Sequence, residues 1–333
     1  MKKTLVALTV AALTATSASA LTVFEQDGST VKVGGAIKLH MDKVKEGKTS
    51  KSTAMHKDDA KINIEAKYAF GDAYALGFYE YDFLAPKVKK AYVGLGNDAG
   101  HQVTFGLQNT FADNVGHSSF DNIWGVRSKF TPGDSDSMIA YRYTGLEGWE
   151  FGADYVLKQT KTYEDAMGND QEVKEKAWFD LGAKYSAGDF TADFAVSQRK
   201  NFLMDARKFG GPKNATLYKG TALDTGFSYM MDNLTFALDL GYAKYKPKSN
   251  SDSLKAYYVS PGMKAAFGDA AVYGNYTYSK YEDTKVHGIN LGTEYQLVKN
   301  AKVFAEFNYD KTKRPNQDSV KNKAFGVGMK VEW

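Results

Sequence analysis

The chain has 333 residues, with 43 Lys and Arg against 39 Asp and Glu, 31 Gly, 22 Tyr, 20 Phe, six Pro and no Cys. A formal charge of +4 is too small to imply a nucleic-acid partner, and the lack of Cys excludes a disulfide-stapled scaffold. Its mean hydropathy is negative, which excludes a bundle of apolar helices but not a membrane β-barrel, where half of each strand faces water.

Lys2 and Lys3 precede an apolar run from Leu5 to Leu13, and Ala18-Ser19-Ala20 offers small residues for cleavage. That run falls short of the roughly 20 apolar residues that cross a bilayer as a helix. Residues 1–20 are therefore expected to be a secretory signal, and residues 21–333 one barrel domain. Beyond them, apolar residues recur at period two. Ile62, Ile64, Ala66, Tyr68 and Phe70 alternate with Asn63, Glu65, Lys67 and Ala69, and Leu234, Phe236, Leu238, Leu240 and Tyr242 with Thr235, Ala237, Asp239 and Gly241. Such alternation predicts strands and fails at helical spacing. Sixteen segments follow, starting near Thr30, Ala60, Tyr74, Lys87, His101, Ser137, Gly148, Ala177, Phe190, Thr221, Leu234, Leu254, Ala270, Val286, Ala301 and Lys321.

Tight turns at Gly71-Asp72, Gly188-Asp189, Asp232-Asn233, Gly268-Asp269 and Lys299-Asn300 alternate with long charged connections at Lys43 to Asp59, Lys158 to Lys176, Phe202 to Gly220 and Lys311 to Val320. All long connections thus fall at one end. The connection from Asn109 to Asp136 is far longer than the ordinary loop of about 4–6 residues and carries Phe111, Phe120, Ile123, Trp124 and Phe130. A segment so aromatic must pack against something. At the end of the chain Phe325, Val327, Met329, Val331 and Trp333 alternate with Gly326, Gly328, Lys330 and Glu332, as expected of a last strand closing on the first, Val31 to Asp42.

One face of these strands is apolar and aromatic. The other carries Glu65, Lys67, Asp154, Asp180, Lys184, Asp193, Asp239, Glu294, Glu306 and Lys330. A soluble core cannot bury so many charges, whereas a water-filled lumen accepts them, and closure removes the edges that lipid would not tolerate. The prediction is an all-β, sixteen-stranded antiparallel transmembrane barrel.

Leu21-Thr-Val-Phe-Glu-Gln-Asp-Gly28, Ala91-Tyr-Val-Gly-Leu95 before Val103-Thr-Phe-Gly-Leu-Gln108, and Ala140-Tyr-Arg-Tyr143 after the third long loop resemble the general porins, trimeric diffusion channels of Gram-negative outer membranes. The resemblance covers the whole mature chain, which departs from it in ending on Trp rather than Phe and in a short second outer loop, Leu84 to Val88. It implies passive diffusion of small hydrophilic solutes and ions, a homotrimer in lipid and lipopolysaccharide, and a third loop folded inward to narrow the pore. It also implies wall cations at Lys61, Arg142 and Lys89, with Lys38 on the right phase of the first strand. The facing carboxylates would be Asp113 and Asp121, with Glu80 and Asp82 nearby, while Arg127 and Lys129 add positive charge to the loop. Trp333, with Met329 and Val331, would form the signal read by the outer-membrane assembly machinery.

The alternatives are a substrate-specific porin with a saturable binding track, or an adhesin or phage-receptor barrel. No track is evident, since most Tyr and Trp fall on the outward phase, Trp178 and Phe304 excepted. His117-Ser118-Ser119 is the only nucleophile-and-base cluster, and adjacent loop residues rarely meet catalytic geometry, so no enzyme is expected. His56 with Asp58 and Asp59 is too generic to predict a metal. No cofactor is expected.

Overall fold

A strand between lipid and water must alternate its side chains, and every backbone N–H and C=O must find a partner in the same sheet. The computed structural model, which describes residues 20–125, 128–164, 170–205, 215–248 and 252–333, meets both demands. Its spanning strands are β1 (Ser29–Glu46), β2 (Ala54–Phe70), β3 (Ala73–Asp82), β4 (Lys87–Asn97), β5 (His101–Asn109), β6 (Asp134–Tyr143), β7 (Trp149–Val156) and β8 (Trp178–Ala187), then β9 (Phe190–Asp205), β10 (Ala215–Met231), β11 (Leu234–Pro247), β12 (Leu254–Phe267), β13 (Ala270–Tyr281), β14 (Thr284–Val298), β15 (Ala301–Lys313) and β16 (Val320–Glu332). Each pairs antiparallel with the next, and β16 returns to β1 from Ala36↔Glu332 to Glu46↔Asn322. The barrel is closed and all-β, with sixteen spanning strands.

Closure ends on Trp333. Its N–H donates to Gly35 O at 3.0 Å, and Gly35 N–H donates to Trp333 O at 2.7 Å. The indole lies where a side chain on Gly35 would stand, with a Cβ there only 2.6 Å from Trp333 Cζ2. Below this point Leu21–Gln26, a strand absent from the sequence expectation, turns through Asp27-Gly28 and pairs with Ser29–Val33, covering the part of β1 that β16 does not reach. The expected leader lies, except for Ala20, outside the described residues.

The outward set is apolar and exposed to the membrane: Val93, Leu181, Leu238 and Leu291 in the middle of strands, and Phe70, Trp149, Phe190, Tyr229, Phe267 and Tyr295 beside the tight turns. That is an aromatic girdle at the short-turn rim. Gly71, Gly188 and Gly268 take φ of 60, 55 and 60° in those turns, and Asp232 takes 52°, a left-handed conformation that Asp tolerates.

Three expected loops are largely strand. β1 and β2 continue to Glu46 and from Ala54, β9 and β10 to Asp205 and from Ala215, and Gln159–Glu164 pairs with Asp170–Glu175 as a separate hairpin. Backbone pairing needs no apolar face once the strands leave lipid, so charged segments such as Lys43 to Glu46 carry the ladder into water. The second outer connection is a tight turn, in which Asp82 Oδ1 accepts from Leu84 N at 2.8 Å and Ala85 N at 3.3 Å.

Candidate functional site

Thr110–Gly133 joins β5 to β6 and lies inside the barrel. A non-strand segment there exposes N–H groups that the sheet cannot pair, so acceptors must come from the wall. Carboxylates supply them. Phe111 N donates to Asp154 Oδ2 of β7 at 2.5 Å, and Gly116 N reaches both oxygens of Asp193 on β9 at 3.1 and 3.2 Å. His117 N and Ser118 N take one oxygen each of Asp239 on β11, at 2.7 and 3.0 Å. Asn122, Ile123 and Trp124 all donate backbone N–H to Glu306 on β15, the last two at 2.9 and 3.0 Å. The loop then returns: Ser128 Oγ meets Ser279 Oγ of β13 at 2.5 Å, and Phe130 N and Thr131 N donate to Asp224 Oδ2 of β10 at 3.0 and 2.7 Å.

All five carboxylates are at most 4 % exposed. Asp154, Asp193, Asp239 and Glu306, which the sequence suggests are wet lumen charges, are instead roofed by the loop. Each hydrogen bond to a charged group contributes roughly 1.5–3 kcal/mol, and convergent N–H groups offset the burial of charge.

Shape matches chemistry. Gly152 of β7 and Gly182 of β8 are cross-strand partners on the lumen face, and the Phe111 ring lies flat across them. A Cβ would stand 2.1 Å from Phe111 Cδ2 at Gly152 and 2.0 Å from Cδ1 at Gly182. Phe111 packs with Ala112, Val115 and Ala195. At the return, Phe130 meets Tyr258 and Tyr281 edge-on at 5.2 and 5.8 Å, beside the buried Phe202, Tyr218 and Tyr245.

The residues singled out in the sequence divide between the loop and the opposite wall. Asp113 accepts from Asn109 Nδ2 at 2.6 Å and pairs with Lys129 at 3.3 Å, while Asp121 accepts from Ser119 Oγ, so both are engaged by residues of the loop or its entry strand. Arg127 lies outside the described residues. Arg142 Nη1 contacts Asp154 Oδ1 at 2.5 Å, and its guanidinium sits 5.3 Å from the Phe111 ring, so it buttresses the first anchor. Lys38 Nζ donates to Asn122 O at 2.8 Å and lies 3.7 Å from Asp58. Lys61 lies 3.6 Å from Asp59 and 3.9 Å from the buried Glu80. Lys89 stands beside the β3–β4 bulge, 3.4 Å from Asp82, whereas its neighbour Lys90 lies opposite Glu80 in the strand register and shares the lumen phase of Tyr92 and Gly94. None of these cations is ion-paired with Asp113 or Asp121 among the described residues.

His117 and Ser118 diverge rather than form a nucleophile pair. His117 Nε2 lies 2.8 Å from Asp193, and Ser118 Oγ donates to Asp239 at 2.7 Å. Among the described residues, the metal-ligating side chains in mutual reach are His40, Asp42 and His56. Sequence reasoning passed over His40 and Asp42, along with Lys90 and the anchoring role of the wall acids. Period two gives a residue's face, but not what lies opposite it.

A family model described as Gram-negative porin matches residues 7–315. The major outer membrane protein of Pasteurella multocida strain Pm70 is 26% identical over 364 residues, covering the whole of both chains. Among solved structures, in-vitro folded OmpT of Vibrio cholerae superposes with a TM-score of 0.73 at 17% identity, over 93% of this chain and 99% of its own. The anion-selective porin from Comamonas acidovorans does so with 0.72 at 15%, over 92% and 100%. These two share the fold. With a closed sixteen-stranded barrel and a family match across most of its length, the chain belongs to the Gram-negative porins, channel proteins of the outer membrane rather than enzymes.

Proposed function

We propose that the protein is a passive, water-filled channel for small hydrophilic solutes and ions, with its bore narrowed by Thr110–Gly133. The observation that carries this reading is the row of buried carboxylates on β7, β9, β10, β11 and β15 that accept the loop's backbone N–H groups. A segment fastened at five points around the inner wall takes up part of the barrel's cross-section. Solutes then pass between it and the wall of β1 to β6, where Lys38, Lys61 and Arg142 set a positive side, Lys89 adds charge at the outer turn and Glu80 moderates the field. Asp113 and Asp121 supply the negative side from the loop, and the transverse field sorts solutes by charge and dipole.

The net preference is weakly for anions. Lysine-rich outer segments at Lys43 to Lys57 and Lys311 to Lys323 support it, as does the fold shared with a porin described as anion-selective. OmpT of Vibrio cholerae has been solved in a trimer form, and we assign the same homotrimeric assembly to this chain, embedded in lipid and lipopolysaccharide. Trp333, Met329 and Val331 serve as the mark for the assembly machinery, so Trp333→Ala should lower the amount of folded barrel recovered from outer membranes.

A saturable, substrate-specific track is favoured by one cluster: Arg199 lies over the rings of Phe202 and Trp178, at 4.3 and 5.3 Å. Planar-bilayer recording separates the readings. A general channel gives ohmic steps, solute flux linear in concentration and a small reversal potential of anion sign. Saturating flux or micromolar current block would replace it with the specific track, and strong cation preference would remove the assigned field.

A further inference from the structure

His40 and Asp42 lie two residues apart on the lumen face of β1, toward the outer mouth, and His56 of β2 stands directly opposite His40. A β-bulge between Lys38 and Leu39 leaves Asp58 as the extra residue on β2 and turns its carboxylate onto the same imidazole. The two imidazoles stack with centroids 4.9 Å apart, and Trp124 of the inward loop closes on His40 edge-on at 6.1 Å. The donor atoms of His40, Asp42 and His56 all lie within 4.8 Å of one another.

A neutral imidazole has one N–H. His40 Nδ1 lies 2.5 Å from Asp58 Oδ2, so its proton is used there. Nε2 then turns a lone pair toward Asp42 Oδ2 at 3.5 Å. Both residues are under a tenth exposed, with His40 at 7 % and Asp42 at 6 %. In that arrangement His40 Nε2 and Asp42 Oδ2 face each other in a closed corner, where a bound cation would bridge them. Two donors that share a tetrahedral ion at about 2.0–2.1 Å stand roughly 3.3–3.4 Å apart. Asp42 Oδ2 stands 3.5 Å from His40 Nε2 and Asp42 Oδ1 stands 3.1 Å from His56 Nε2, close to that spacing. The whole donor set, within 4.8 Å, would draw together on an ion by a small side-chain shift. Histidine ligands commonly donate their other ring N–H to a carboxylate, as His40 does to Asp58.

We infer that His40, Asp42 and His56 form a binding site for one divalent transition-metal ion of the Zn2+ class, with Asp58 orienting His40. Three protein donors leave a fourth position open toward the lumen, where water or a passing anion completes the shell. Nitrogen donors select borderline-soft ions over Mg2+ and Ca2+, which take oxygen shells. Bound metal adds positive charge to the wall that also carries Lys38. This site is independent of the channel's selectivity and would stand if that reading failed.

The test is calorimetric titration of ZnCl2 and MgCl2 into the untagged, folded protein in detergent, together with the visible spectrum on adding CoCl2. The expected result is one Zn2+ per chain with saturable heat, no Mg2+ binding, and a cobalt d–d band of tetrahedral intensity. His56→Ala, at the half-exposed rim of the site, leaves the barrel folded and should abolish both signals. Asp58→Asn should weaken Zn2+ by about 10–100-fold, the usual effect of losing an orienting carboxylate. His40→Ala should match His56→Ala where it folds. Absence of saturable Zn2+ binding in the native chain, or equal binding in His56→Ala, would overturn the assignment.

Discussion

The inner wall has two sides that use charge differently. From β7 to β15 the lumen face carries Asp154, Asp193, Asp224, Asp239 and Glu306 among glycines, all roofed by the inward loop. On β2, β3 and β4, which no loop hydrogen bond reaches among the described residues, Lys61, Lys67 and Lys90 lie among Glu65, Glu80 and Asp82, and the ammonium groups of Lys67 and Lys90 lie over the rings of Tyr74 and Phe78. One side uses its carboxylates to hold the loop's backbone; on the other, charges pair with side chains of neighbouring strands. The same alternating residue types therefore hold a loop in one half and, in the proposed channel, would act as a field in the other. The inward loop decides which.

The strongest way to break this contrast is to spoil the fit under Phe111. A Cβ on Gly182 would stand 2.0 Å from the Phe111 ring, so Gly182→Val must expel it, at an overpacking cost of about 1–3 kcal/mol. The first anchor should detach, and single-channel conductance should rise with added noise. Combining Gly182→Val with Phe111→Ala removes the clash with the ring but keeps the 2.8 Å approach of the Cβ to Phe194 O, so it should quieten the steps in part. Unchanged conductance in Gly182→Val would mean that this end of the loop does not set the bore.

Removing an acceptor is a smaller disturbance. Asp239→Ala orphans His117 N and Ser118 N and leaves the Ser118 hydroxyl with Ser260 Oγ at 3.0 Å, and each unsatisfied buried donor costs about 1–3 kcal/mol. Amide exchange at His117 and Ser118 should accelerate while protection in β11 and β12 persists. Asp239→Asn keeps one carbonyl oxygen and should fall between. Glu306→Ala should act likewise on Asn122, Ile123 and Trp124, at the far end of the loop.

On the uncovered side the effect is electrical. Lys61 is a third exposed and its carboxylate neighbours are 3.6 and 3.9 Å away, a partly solvated pairing worth no more than about 1 kcal/mol. Lys61→Ala should leave barrel melting nearly unchanged and shift the reversal potential toward cations. Arg142→Ala should not behave as its twin, for it strands the buried Asp154 beside the first anchor and should disturb conductance as well as selectivity.

Legibility in the sequence divides along the same line. Strand starts were readable almost to the residue at Lys87, His101, Phe190, Leu234, Leu254, Ala270 and Ala301, because the pleat forces period two and the tight turns punctuate it. Starts were late at Ala60 and Thr221, where the strands begin at Ala54 and Ala215. There the segment has left the bilayer and no apolar face marks its continuation. The inward face of Asp154, Asp239 and Glu306 was legible, but their burial was not. Burial comes from a loop whose contacts reach 43, 122 and 184 residues away, and no local pattern encodes such partners. The pairing of His40 with Asp58 was hidden for a related reason: a bulge shifts the phase that alternation assumes.

A bulge also separates Lys89 from Lys90, and this yields the finest of the tests. Register shifts between Glu80 and Tyr81, so that Glu80 faces Lys90 while Tyr81 faces Val88, and Lys89 is the residue left over. Its ammonium lies against Asp82 at the outer turn. The ammonium of Lys90 sits 5.9 Å from the Phe78 ring, inside the barrel. A charge in the lumen acts through a low-dielectric wall that concentrates its field on passing ions, whereas one at the mouth is screened over a Debye length of about 8–10 Å at physiological salt. Lys90→Ala should therefore move the reversal potential at both low and high ionic strength. Lys89→Ala should move it only at low ionic strength, and by less. The opposite ranking in salt-gradient recordings would mean that the bulge does not turn Lys89 out of the lumen and that alternation alone governs this strand.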